Sequence, residues 1–158
     1  VELLVVITIV GTLAMLAAPR VGNSLINLQL KTSARALAAS LRYAGSKAAT
    51  EKIMYQAVID KGQGTVTVCP LYPVRAVEEN GEAPSHPGRT LKKEYALPEG
   101  IRFDEVKTPT GRHDPAQRYV IYFLENGTST GGEIALVNTR GKSYVVEVDI
   151  VTSRATIF

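Results

Sequence analysis

Cysteine occurs once, at Cys69, so neither an intrachain disulfide nor a multi-cysteine zinc site can form. The expectation is a lone buried thiol. Histidine is almost as scarce: His86 and His113 stand isolated, with no partner at metal-ligand or triad-like spacing, and each reads as a loop residue. The aspartates Asp60, Asp104, Asp114 and Asp149 form no series like a calcium-binding EF-hand loop. A phosphate loop is missing too. In "GTSTGG" the spacing of Gly127 and Gly132 imitates one, but Glu133 stands where lysine is needed; "RGKS" supplies Gly141, Lys142 and Ser143, but Leu136 occupies the upstream glycine position. Both stretches read as turns. Asn126-Gly127-Thr128 satisfies a glycosylation sequon, yet ordinary Asn-Gly turn chemistry accounts for it. No catalytic constellation, metal site or cofactor site emerges, and an enzyme is not expected. Cationic side chains run from Arg20 to Arg154 without a dense block, and the formal net charge is +3. Nucleic acid is permitted by that charge but not demanded.

What the sequence does contain is a long apolar opening, "VELLVVITIVGTLAMLAAPRV". From Val1 to Ala18 the only charge is Glu2, and at helical rise these residues would span roughly 27 Å, close to the thickness of a bilayer core. A carboxylate as second residue and a proline, Pro19, at the end of the run are both unusual. A secretory signal peptide would place basic residues before the apolar part and a small-residue cleavage site after it. Neither is present, and helical spacing continues past Ala18. An ordinary single-pass anchor is the plain alternative. The chain opens on Val1, so the residues seen are expected not to include the start of the gene product.

Beyond Pro19 the period stays helical while the composition changes. Leu30, Ala34, Leu37, Leu41, Ala44 and Ala48 follow one another at alternating four- and three-residue steps, which makes a single apolar stripe. Lys31, Ser33, Arg35, Arg42, Ser46 and Lys47 lie off that stripe and are expected to face water or neighbouring subunits. Pro19 removes one backbone donor and need not end the helix. The reading is one helix over 1–52, with 1–18 the transmembrane or filament-core part and 19–52 amphipathic.

From Ile53 the pattern turns to strands. "YQAVID" and "TVTVC" flank the glycine-bearing link "KGQG" and predict a hairpin; "GIRFDEV", "RYVIYFL", "GEIALV", "SYVVEVDIV" and "RATIF" follow. Val146, Val148 and Ile150 alternate with Glu147 and Asp149, as in an antiparallel sheet with one buried face. Asn126-Gly127 and Arg140-Gly141 mark turns. Between Pro70 and Pro98 prolines stand at 70, 73, 84, 87 and 98, and a long surface loop is expected over 70–98. The predicted fold is therefore α+β: a long N-terminal helix packed on a mostly antiparallel β-sandwich domain over 53–158.

The opening segment, from the residue before Glu2 to Pro19, resembles the N-terminal segment of type IV pilins and type II secretion pseudopilins. The resemblance continues through "ALAASLRYAGSKAATEK" and through "FLENGTSTGGEIALV" and "SYVVEVDIVTSRATI", which look like the GspH/FimT class of minor pseudopilins. It implies a precursor cut by a prepilin peptidase upstream of Val1 and a single-pass location in the bacterial inner membrane with the β domain in the periplasm. It also implies delivery by an assembly platform into a periplasmic pseudopilus or an extracellular pilus. Glu2 would correspond to the family's glutamate, thought to pair with the N-terminal amine of a neighbouring subunit, and Pro19 to its helix-kinking proline. The partners implied are other pilin or pseudopilin subunits. Two alternatives stay open: a major pilin, and a DNA-uptake minor pilin binding DNA through C-terminal basic residues. For the latter the candidates are Arg140, Lys142 and Arg154, although Ser153 and Thr156 depart from the Gly-Arg-x-Arg pattern of DNA-binding relatives.

Overall fold

The computed structural model describes residues 2–71, 92–109 and 117–158, and within its first helix the side chains of 2–13 and from 25 onward. That helix, α1 (Glu2–Glu51), is continuous over 50 residues and passes through Pro19 without a break in its assignment. It ends where Lys52 takes a positive φ of 55°, the left-handed conformation that stops helix propagation. Eight strands follow: β1 (Tyr55–Asp60), β2 (Thr65–Pro70), β3 (Lys93–Ala96), β4 (Ile101–Lys107), β5 (Arg118–Phe123), β6 (Gly132–Asn138), β7 (Ser143–Val148) and β8 (Ala155–Ile157).

The strands form two four-stranded sheets, β3-β2-β1-β5 and β4-β6-β7-β8, antiparallel throughout. The predicted hairpin is present, with Asp60 opposite Thr65 and Tyr55 opposite Pro70. Asp60 Oδ1 accepts from the Gln63 amide to close its turn. At the two glycine turns, Gly127 and Gly141 adopt φ of 86° and 79°, which a side chain would oppose.

One core joins the helix to both sheets. The stripe Leu30, Ala34, Leu37, Leu41, Ala44 and Ala48 is wholly buried, and it packs with Ile59, Val66, Ile121, Phe123, Ile134, Leu136 and Val146. The small residues on this stripe let the helix come close. A Cβ on Gly45 would stand 3.1 Å from the Ser153 Cβ and 3.4 Å from the Phe123 ring.

Several local expectations need correction. Ser33, expected to face water or a neighbour, is buried, because a serine is small enough to enter a helix–sheet contact; Ser40, for which nothing was expected, is buried too, its hydroxyl donating to the Ala36 carbonyl at 3.0 Å. Within the loop expected over 70–98, Lys93–Ala96 is a strand paired with β2, while residues 72–91 lie outside the described residues, as does His86. His113 and Asp114 fall in 110–116, also outside them. The alternation "VVEVDI" stops at Val148. Asp149 begins a turn, and Ile150 is 57% exposed. Cys69 is half-buried rather than enclosed, with the Gln56 amide 3.4 Å from its sulfur.

Candidate assembly surface

The first turns of α1 leave their apolar side chains in the open. Leu3 and Leu4 are exposed by 72% and 71%, and Val5, Val6, Ile7, Ile9, Val10 and Leu13 are all more than half exposed. Contiguous apolar surface on this scale marks a protein or lipid contact. The two hydroxyls in the arm do not spoil it: the Thr8 hydroxyl donates to the Leu4 carbonyl, and Thr12 donates to the carbonyls of Thr8 at 3.0 Å and Ile9 at 2.9 Å. Bonded back onto the helix, these hydroxyls present no orphan donor to an apolar environment. Glu2 sits in the first turn, exposed, where a negative charge faces the positive end of the helix dipole.

Among the described residues no helix is long and apolar enough to cross a membrane. The expected span over Val1–Ala18 runs past the described side chains of the first turns, which end at Leu13. Pro19 is placed in the helical backbone between this arm and the buried stripe, and its side chain is among those not described.

Where the helix leaves the domain it is tied by a pair of amides. Asn138, at the end of β6 and 2% exposed, donates from Nδ2 to Asn27 Oδ1 at 3.0 Å, while its own Oδ1 accepts from the backbone N–H groups of Arg140 and Lys142, each at 3.0 Å. One side chain therefore shapes the β6–β7 turn and fixes the helix beside it. Further along, the Arg42 guanidinium donates from Nε and Nη2 to the Ala155 carbonyl at 2.8 and 2.6 Å. Arg42 is exposed, as expected, and its guanidinium also closes a carbonyl of the edge strand β8. Near the helix end Lys47 pairs with Glu51 at 2.8 Å, and the Tyr55 hydroxyl donates to the other Glu51 oxygen. The hydrogen bond and charge of Glu51 raise the Lys47 pKa above its ordinary value. Of these ties only Lys47–Glu51, four residues apart, follows a helical spacing; the one signal for Asn138 was its place in "VNTRGK", an asparagine ahead of a glycine turn.

The three basic candidates are all exposed but do not form one patch. Arg140 and Lys142 stand in the turn before β7, and Arg154 stands after the turn that follows it. The six residues of β7 separate them by roughly 20 Å. Lys142 lies 5.7 Å from the Tyr144 ring, a cation–π contact. The turn before Arg154 is tightly bonded: Asp149 Oδ1 accepts from the amides of Val151 at 3.0 Å and Thr152 at 2.7 Å and from the Thr152 hydroxyl at 2.8 Å. These donors, chiefly the Thr152 amide and hydroxyl, hold the Asp149 carboxyl below the usual carboxylate range. Among the described residues no group of three or more His, Cys, Asp or Glu is placed to hold a metal ion.

Solved structures share this outline of a long helix packed on two antiparallel sheets. The minor pseudopilin EpsH from the type 2 secretion system of Vibrio cholerae superposes with a TM-score of 0.57 over 82% of this chain and 96% of that one, at 16% identity. The type IV minor pilin FimU of Pseudomonas aeruginosa gives a TM-score of 0.55 over 84% of this chain and 90% of that one, also at 16% identity. The fold is that of the minor pilins and pseudopilins. No family model matches the sequence, and no curated protein matches it closely. In this pilin-like fold the predicted α+β architecture is confirmed: the helix packs on the β domain through 30–48 and leaves its first turns uncovered.

Proposed function

We propose that this chain is a structural subunit, a minor pseudopilin of a type II secretion pseudopilus or of a related type IV pilus, which assembles through its N-terminal helix to support protein secretion. The observation that carries the proposal is the arm itself. Leu3 to Leu13 expose a nearly unbroken apolar surface that the β domain leaves uncovered, and the Thr8 and Thr12 hydroxyls are already satisfied within the helix. Such a surface needs an apolar environment at every stage. The bilayer of the inner membrane would supply it first, and the helices of neighbouring pilin subunits would supply it after assembly. A prepilin peptidase acting on the precursor and an assembly platform complete the expected partners.

Glu2 fits this role as the group that makes docking selective. Among apolar helices a carboxylate is costly without a counter-charge, and the N-terminal amine of a neighbouring subunit would provide one. Replacing Glu2 with glutamine keeps shape and helix propensity and removes the charge. Membrane insertion should be unchanged or slightly easier, while assembly should suffer by about 3–5 kcal/mol, the cost of breaking a buried pair. The experiment compares membrane-pool and assembled protein, together with secretion, after complementing a null strain. A glutamine variant that assembles and supports secretion like the parent refutes the pairing role. The DNA-uptake reading draws less support, since Arg154 stands at the other end of β7 from Arg140 and Lys142, and few scattered phosphate contacts give weak, salt-sensitive binding.

A further inference from the structure

At the end of α1 farthest from the bare arm, the helix and two turns of the β domain border a cleft of about 500 Å³. Its two cations are Arg42, from the helix, and Arg154, from the end of the β7–β8 turn; between them Gly45, Ala49 and Gly127 make a small floor. No aspartate or glutamate lines it, and neither arginine has a carboxylate partner among the described residues. Both cations are held in place. The Ala155 carbonyl takes Nε and Nη2 of Arg42 and leaves Nη1 for another acceptor. Arg154 stands on a turn bonded from several sides: the Ser129 amide donates to the Ile150 carbonyl at 2.8 Å, the Ser129 hydroxyl to the Asp149 carbonyl at 2.9 Å, and the Asp149 amide to the Arg154 carbonyl at 3.0 Å. Ser153, buried beside the floor, keeps a φ of 55°, and its hydroxyl donates to the Gly127 carbonyl at 2.8 Å. A left-handed residue with a side chain persists only where its surroundings impose it, and such residues cluster at ligand clamps.

Two fixed guanidinium groups without counter-charges select a planar oxyanion, bound by charge-assisted hydrogen bonds. Three sources could supply one: a lipid headgroup, a nucleic-acid phosphate or a protein carboxylate. Roughly 50 Å of helix separates Ser46, on the rim of the cleft, from Leu13, so the headgroups of a bilayer holding the arm are out of reach. Nucleic acid calls for a row of phosphate contacts. Here Lys47 is already paired with Glu51, and Arg140 and Lys142 lie at the other end of β7. A protein carboxylate meets both the charge and the apolar surroundings, because Val151, on the same turn as Arg154, is 72% exposed and offers a contact to its apolar neighbour. We propose that the cleft between Arg42 and Arg154 captures an acidic side chain of a different protein, with an adjacent apolar residue of that partner resting on Val151. The inference goes beyond the assembly reading and is separable from it, since neither Glu2 nor the arm takes part and the cleft is not needed for the chain to join an assembly.

The test follows the backbone amides and arginine Nε–H signals of the full chain in mild detergent by NMR while a capped tripeptide, leucyl-glutamyl-valine amide, is added. The Arg42 and Arg154 Nε–H signals and the Thr152 amide should shift together and saturate, while the Arg140 Nε–H and the Lys142 amide stay in place. The same peptide with glutamine for glutamate should leave all of them unmoved. Arg154→Gln should weaken binding about tenfold or more, as expected for losing a hydrogen bond to a charged group. Its amide spectrum away from the β7–β8 turn should match the parent, which separates lost binding from lost folding. Arg140→Gln with Lys142→Gln should bind the peptide like the parent. Equal shifts at every exposed cation, equal binding of the glutamine peptide, or binding that survives Arg154→Gln overturns the proposal. So does a cleft that takes inorganic phosphate or a short duplex DNA in preference to the peptide, which would make its ligand a phosphate. A Glu2→Gln chain should bind the peptide normally, so failure of the arm reading would leave this one standing.

Discussion

Asn138 offers the sharpest energetic test of how the helix is held. Its side chain makes three hydrogen bonds of 3.0 Å, two inside the β6–β7 turn and one to Asn27 on the helix. Replacement by alanine removes all three and leaves the Arg140 and Lys142 amides and the Asn27 amide to find other partners. At about 1 kcal/mol net per bond the loss would be ~3 kcal/mol, reduced to about 2 kcal/mol because the exposed turn lets water reach the two backbone donors. For a chain of this size that lowers Tm by roughly 4–8 °C. Asn27→Ala removes a single half-exposed bond and should cost about 1 kcal/mol or less. Because the two residues touch, the double variant should lose less than the sum of the singles, by ~0.5–1 kcal/mol. The assay is thermal and urea unfolding of the chain in mild detergent, followed by circular dichroism. An Asn138→Ala chain within about 0.5 kcal/mol of the parent, or strict additivity with Asn27→Ala, refutes the argument that this amide pair ties helix to sheet.

Two further outcomes concern charge. Asp149 has its carboxyl pKa lowered by the Thr152 and Val151 donors, so its contribution to the β7–β8 turn is complete above the unfolded carboxylate pKa and is lost as pH falls through the lowered folded value. Carboxyl NMR titration should place it below the usual carboxylate range, and Asp149→Asn should remove that part of the acid sensitivity below about pH 4; a normal titration contradicts the bonding described. Replacing Arg140, Lys142 and Arg154 together by alanine should leave assembly unchanged, and the parent chain should show no sub-micromolar binding to duplex DNA at about 150 mM salt; tight binding lost in the triple variant would favour the DNA-uptake reading.

Periodicity was sufficient wherever burial followed it. The stripe from Leu30 to Ala48 sits in the core, the KGQG hairpin has its expected pairing, and the Asn-Gly and Arg-Gly turns stand where glycine supplies a positive φ. What escaped was short, small or specific. The strand Lys93–Ala96 is four residues long and mostly exposed, so it carries no alternation to read. Ser33 and Ser40 are polar by type but small enough to be buried, and Arg42 owes its place to one carbonyl on a strand more than a hundred residues away. Asp149 ends an apolar alternation by accepting three hydrogen bonds, a choice settled by the turn and invisible in the strand pattern that leads into it. The exposed apolar arm was legible for the opposite reason: a long apolar run with one leading glutamate signals exposed surface without any tertiary contact.

The central claim is that folding and association are carried by different parts of one helix, the bare first turns and the buried stripe. Removal of residues 1–23 tests it directly, by fractionation of cells complemented with the shortened chain and by sedimentation and circular dichroism of the purified product. The account predicts a folded, soluble monomer that no longer enters envelope assemblies, because Leu30 to Ala48 and both sheets keep their shared core. A shortened chain that unfolds or aggregates, or one that still joins assemblies at the parent level, would contradict it.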